Sequence, residues 1–200
     1  MEKLSLLTHP QSFHMNPEEF KTVSRQAFRD CFQPSRILLC VLAGRTPGKF
    51  NVITVCFDMY CSYKPPMMAF AVQRGAYSHE LLQTAKECVL SVPGESLAHE
   101  ALLCGTESGH VIDKLAKSGL RLTPSKTVSI PSLAQALANI EVRIVNRLVT
   151  GDHLVIIGEV LRFAVNTQLR EKCLLSVGPD ENGYRVLARK GIHRIAVVSG

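Results

Sequence analysis

No tryptophan occurs anywhere in these 200 residues, and aromatic residues make up only 6%. Lysine and arginine are scattered, with no aromatic-plus-basic stripe, so the net charge of +6 leaves no nucleic-acid footprint. Such a mild positive field favours small phosphorylated ligands instead. Long apolar runs are missing too. The longest strictly apolar stretch, Ile37 to Ala43, falls far short of the ~20 residues a membrane helix needs. The opening residues, MEKLSLLTHPQS, lack a continuous apolar core, so no signal peptide is expected. The seven cysteines (31, 40, 56, 61, 88, 104 and 173) are odd in number and sit mostly inside apolar runs. That pattern argues against a disulfide framework and for reduced thiols in the cytoplasm.

Several chemical signatures are also incomplete. No Gly-x-Gly-x-x-Gly occurs, so a dinucleotide would have to bind without a Rossmann crevice. The stretch from Gly44 to Lys49 is one residue short of a phosphate-binding loop, and Phe50 stands where a Mg²⁺-binding hydroxyl belongs. It reads as a hairpin turn. Gly105-Thr106-Glu107-Ser108-Gly109 has the wrong spacing for a nucleophile elbow. His99-Glu100 lacks the second histidine of a zinc helix, and Cys56 and Cys61 are too far apart for a zinc pair, so no metal is expected.

What is present is a change of period along the chain. Asn16-Pro17-Glu18-Glu19 carries helix-start chemistry, and Phe20, Val23, Ala27 and Cys31 recur at helical spacing until Pro34 stops the run. Residues 1–33 read as a helical extension of a domain over 34–200. From there short β runs dominate: Arg36–Ala43, Phe50–Phe57, Met67–Gln73, Cys88–Val92, Ile140–Val149, His153–Phe163 and Ile192–Val198. Gly151-Asp152 between two Val/Ile-rich runs is a hairpin signal. Helices are predicted over Ser78–Glu87, Ser96–Leu103 and Ser108–Lys117, with a short one from Ser132. Strands this short and this directly joined suit a mainly β chain with inserted helices, an antiparallel barrel rather than a doubly wound sheet.

Two features of this pattern carry chemistry. A strand over 51–57 that ends in a loop offers unpaired backbone groups, with Asn51 and Thr54 as side-chain donors and Phe57 as a flat apolar surface. By itself this is also how an ordinary strand end looks. Ser78 stands where a helix should begin, and with Arg74 four residues earlier it would make an anion site, or simply a cap and a solvated arginine.

Three segments in order resemble the flavin reductase-like family, and its flavoredoxin-type branch in particular. They are Asn51-Val52-Ile53-Thr54…Ser62-Tyr63-Lys64-Pro65-Pro66 with Arg74…Tyr77-Ser78; Cys104-Gly105…Ser108-Gly109…Asp113-Lys114…Gly119-Leu120; and Gly151-Asp152-His153…Gly158-Glu159-Val160. The resemblance implies an FMN-binding split β-barrel of Greek-key type, homodimeric, with FMN near the subunit interface. It implies flavin contacts from Asn51, Val52, Ile53, Thr54, Val55, Cys56, Phe57 and Ser62. Arg74, Tyr77, Ser78 and Lys114 would add to them, with His153 at the flavin or nicotinamide and Tyr184 near the ring. Phe57 stands where the family commonly has Trp. The implied activity is NAD(P)H-dependent flavin reduction or flavoredoxin-like electron transfer, using free flavin or a partner protein and no obligatory catalytic side chain. A non-catalytic FMN carrier and a flavin-free binding barrel are the alternatives.

Overall fold

A computed structural model describes Thr22, Ser24, residues 35–176 and two further strands. The predicted helix over 16–31 and Tyr184 lie outside the described residues. The chain divides into Met1–Phe32 and Gln33–Gly200, and the architecture below is that of the second unit.

Its strands are β1 (Ser35–Arg36), β2 (Leu38–Ala43), β3 (Phe50–Val55), β4 (Asp58–Tyr63), β5 (Pro66–Gln73), β6 (Glu87–Val92), β7 (Leu122–Thr123), β8 (Ser132–Leu133), β9 (Ala138–Thr150), β10 (His153–Val165), β11 (Leu175–Ser176), β12 (Val186–Lys190) and β13 (Ile195–Ser199). The helices are α1 (Tyr77–Thr84), α2 (Ala98–Thr106) and α3 (Lys114–Ser118). Seven strands form one antiparallel sheet in the order β3-β2-β6-β9-β10-β5-β4.

β3 and β4 are the two edges of that sheet, yet only Cys56 and Phe57 join them. Three Cα steps span at most about 11 Å. Six strand spacings laid flat would need about 29 Å. The sheet therefore rolls until its edges meet, but no β3–β4 pairing closes it. The result is a split β-barrel with a seam.

The apolar run of β2 follows from its central place, since both of its faces are covered. Leu38, Cys40 and Leu42 point into the barrel with Phe70, Val142, Ile156 and the α1 leucines Leu81 and Leu82. Leu39 and Val41 point outward to Val89, Ala101, Leu103 and Leu133 beneath α2 and the 120–137 segment. Period-two alternation thus feeds two cores from one strand.

The hairpin predicted at Gly151 is present, with Thr150 paired to His153 and Gly151 at φ 51°. A side chain there would be strained. Further along β10 a bulge falls between Ile157 and Gly158. A Cβ on Gly158 would sit inside the van der Waals radius of buried Val142 and 3.3 Å from the Arg143 carbonyl. Gly158→Ala is therefore expected to cost about 1–3 kcal/mol by overpacking, read as a lower denaturant midpoint.

Three local expectations are corrected. Asp58–Tyr63 is a strand, not a loop; as an edge strand it keeps Met59, Tyr60, Cys61 and Tyr63 exposed and lacks an apolar alternation. The segment from Ser132 is a two-residue strand, because the Asn139 side chain accepts from the Leu133 amide and donates to its carbonyl. The helix predicted over 108–117 begins only at Lys114, where the Asp113 carboxylate caps the Ala116 amide at 3.1 Å.

Candidate functional site

The seam positions most of the predicted residues. β3 pairs with β2 alone, so its outer edge presents unpaired backbone groups. From Asn51 to Phe57 that edge runs roughly 20 Å. Side chains cluster at each end of it.

At the Phe57 end, the Phe57 ring lies 5.3 Å from the His153 ring, centroid to centroid, and is 56% exposed. The Phe57 carbonyl accepts from the Ala71 amide. His153 Nδ1 lies 2.7 Å from Asp152 Oδ1, a pairing that fixes the ring and turns Nε2 the other way. Arg74 is drawn to the same corner: its backbone amide donates to the Asp152 carbonyl and its guanidinium to the Gly151 carbonyl at 3.2 Å. Just past Phe57, the Asp58 carboxylate is almost wholly buried and meets Arg36 at 2.5 Å. Burial raises the Asp58 pKa, while the Arg36 charge and hydrogen bond oppose the rise. Burial, with the Asp58 charge, also pushes the Cys56 thiol up, so Cys56 stays protonated at neutral pH.

At the Asn51 end, Asn51 is buried and its Nδ2 has no hydrogen-bond partner. Gly109 approaches so closely that a Cβ there would strike Asn51 Oδ1 and lie 3.3 Å from the Tyr77 ring. Tyr77 in turn meets the His110 ring at 5.6 Å and carries the Arg45 guanidinium 5.4 Å above it. Arg45 also pairs with Glu80. Tyr77 and Ser78 are the first two residues of α1, whose leading amides have no partner within the helix. The capping position belongs to Ala76, with no side-chain cap, so Ser78 is not the N-cap. It is the second helical residue and is buried. The turn through Gly75, at φ 85°, lets the helix begin one residue earlier than the serine suggests.

The remaining predicted residues face elsewhere. Val52 joins the outer core, while Ile53 and Val55 fill the barrel. Thr54 Oγ1 donates to the Ala101 carbonyl at 2.5 Å and so ties β3 to α2. Ser62 lies half-buried on β4. Lys114 is 5% exposed, and its ammonium donates to the Cys104 carbonyl at 2.7 Å, which ties α3 to α2. Burial lowers the Lys114 pKa against the Cys104 and Glu107 charges; burial also pushes the Cys104 thiol up to about 11.

Arg45, Gly109, His110 and Asp58 carry geometry that the sequence reading gave no role. The signal for Arg45 lay in a discarded motif: Gly44 to Lys49 is a hairpin turn, but its arginine reaches across to α1. Among the described residues, no group of His, Cys, Asp and Glu is arranged to hold a metal, and no helix is long and apolar enough to cross a membrane.

Fold and seam together define a split β-barrel with an open strand edge. The chain belongs to the flavin reductase-like domain family, whose model matches residues 35–180. Its architecture is similar to flavoredoxin of Desulfovibrio vulgaris (Miyazaki F), at 21% identity and TM-score 0.63 over 90% of this chain and 91% of that one. It is also similar to an FMN-binding protein from Thermus thermophilus with bound p-hydroxybenzaldehyde, at 20% identity and TM-score 0.69 over 80% and 91%. A third likeness is to the NADH:FAD oxidoreductase of Streptomyces globisporus C-1027 in complex with NAD and FAD fragments. It has 20% identity and TM-score 0.67 over 80% and 94%.

Proposed function

We propose that this protein binds FMN without a covalent bond and acts as an NAD(P)H-dependent flavin reductase-like oxidoreductase. The observation that carries the reading is the unpaired edge of β3, with an aromatic pair at one end and a buried, unpartnered amide beside a helix start at the other. Asn51 Nδ2 is a donor with no acceptor in the protein, which fits a ligand rich in carbonyl and hydroxyl oxygens. Bound flavin would supply the acceptor for a hydride from the nicotinamide.

The chain's own residues would bind, orient and exclude water. Backbone groups of residues 51–57 would hold the polar edge of the ring, and Phe57 would cover one part of it. The first turn of α1 would receive the phosphate, with its dipole and leading amides. His153, held by Asp152, would line the nicotinamide side. Thr54 and Lys114 would act as struts behind the site. The six free cysteines among the described residues support a reducing, cytoplasmic setting.

Titration with FMN is expected to quench flavin fluorescence at a one-to-one ratio, and the loaded protein is expected to oxidise NADH or NADPH when free flavin is present. His153→Ala should lower turnover with little effect on FMN affinity. Bound flavin with no turnover of either nicotinamide would make the protein a carrier served by another reductase. Failure to take up FMN would overturn the reading.

Strands β4, β9 and β10 expose Met59, Tyr60, Tyr63, Leu148, Val149 and Phe163 over their two faces. Apolar exposure of this extent suits a twofold interface with a second copy. Sedimentation is expected to report a dimer at micromolar concentration; a monomer there would count against it.

A further inference from the structure

An ion pair spans the seam. Arg36 stands two residues before Leu38, and Leu38 pairs with Val55, the last residue of β3. Asp58 is the first residue of β4, on the other side of the slit. The Arg36 guanidinium reaches the Asp58 carboxylate at 2.5 Å and lies 5.7 Å over the Tyr60 ring, also on β4. We propose that Arg36 is a positioning residue: its pairing with Asp58 clasps the seam over the 56–57 link and holds Phe57 facing His153. The consequence for a bound ring rests on the flavin reading above, whereas the clasp itself does not.

Strand register explains why the two side chains meet. Asp58 pairs with Phe70 and Tyr60 with Met68, and both partners point into the barrel. Residues opposite one another in a ladder share a face, so Asp58 and Tyr60 lie on the inward face of β4. The inward row of β2 is Leu38, Cys40 and Leu42, and two residues before it stands Arg36.

Burial gives the contact its weight. The Asp58 side chain is only 2% exposed, against 47% for Arg36. A pair of exposed charges would contribute little. A carboxylate held out of water is different, because without its partner it is driven towards solvent. Phe57 directly precedes Asp58, and its exposed ring rests against His153. A carboxylate that swings outward would therefore carry that ring with it.

Cys56, half-buried in the same link, reports the state of the clasp, whereas Cys40 and Cys88 are wholly buried in the barrel. Alkylation by iodoacetamide at about pH 8.5, where Asp58 carries its charge, is the test, followed cysteine by cysteine by mass spectrometry. Arg36→Gln leaves that charge unbalanced, which by electrostatics alone pushes the Cys56 thiol higher and slows its reaction. An opened clasp does the reverse: Cys56 is expected to react about fivefold faster or more, with Cys40 and Cys88 unchanged. Arg36→Lys keeps the cation and should stay within about twofold of wild type. Tyr60→Leu removes only the ring under the guanidinium and should give a smaller rise of about twofold. It carries the test if Arg36→Gln does not fold. Arg36→Gln should also weaken FMN binding by about tenfold, and Arg36→Lys should restore it.

A Cys56 rate that is unchanged or lower, or that rises together with Cys40 and Cys88, would overturn the clasp. Faster alkylation of Cys56 with unchanged FMN affinity would overturn the role of Phe57 at the ring. A wild-type protein that takes up no FMN would remove the flavin reading and leave the alkylation rates to decide the clasp by themselves.

Discussion

Ser78→Asp is expected to raise the FMN dissociation constant by about 100-fold or more, while riboflavin affinity stays within about twofold. The substitution puts a negative charge in the first turn of α1, where the phosphate would sit. That turn favours an acidic side chain through the helix dipole, which offsets part of the cost of placing a charge at the buried Ser78 position. The phosphate, by contrast, would meet a like charge at close range. Riboflavin carries the same ring system without the phosphate, so it separates electrostatic exclusion from general damage. Equal loss of both ligands would place the phosphate elsewhere. Arg74→Ala should add little, because its guanidinium already serves the Gly151 carbonyl.

The second large effect concerns stability. Glu141, on β9, has no exposed surface, yet it is ionised. Burial pushes its pKa up, but hydrogen bonds from the Thr127 hydroxyl and amide, the Lys126 amide and Arg162 outweigh burial and hold it at about 2. Its ordinary value is 4.5. A carboxylate with a depressed pKa stabilises the fold above the unfolded-state value and loses that contribution as pH falls towards the folded-state one. The depression corresponds to about 3 kcal/mol at neutral pH. Glu141→Gln should therefore lower the unfolding free energy at pH 7 by about that amount in a urea titration. The gap between variant and wild type should narrow as pH drops below 4.5 and close near 2. A gap that stays constant across this window would mean that the carboxylate's charge contributes nothing. The 124–130 segment, pinned by this carboxylate, also forms one wall of an open groove beside α1 through Ser129 and Ile130.

Elements whose cause is local could be read from the chain. β2 announced itself by an unbroken apolar run, the β9–β10 hairpin by Gly151, and α1, to within a residue of its start, by Ser78. β4 did not, because an edge strand that exposes aromatic side chains on its outer surface shows neither alternation nor a buried run. The strand at Ser132 depends on Asn139, and the C-terminal end of α1 is held by Arg147, which donates to the Leu82 and Ala85 carbonyls from β9. Such partners are named only once the chain has folded. The site divides in the same way. Phe57, Arg74, Tyr77, Ser78 and His153 were legible because turns and a helix start mark them. Arg45 and His110 were not, because each meets Tyr77 from a distant loop. Lys114 and Thr54 were legible as polar groups in the right segments, but their hydrogen bonds lead to the backbone of α2.

The two-residue link between β3 and β4 has one more implication. A sheet that meets itself without pairing is a sleeve with a slit, and opening the slit a little breaks no ladder bond. The two edges are held together by the Cys56-Phe57 link and by the packing of Ile53 and Val55 inside the barrel, not by a ladder of backbone hydrogen bonds. Fully closed barrels differ, since any widening of them must rupture a strand pair.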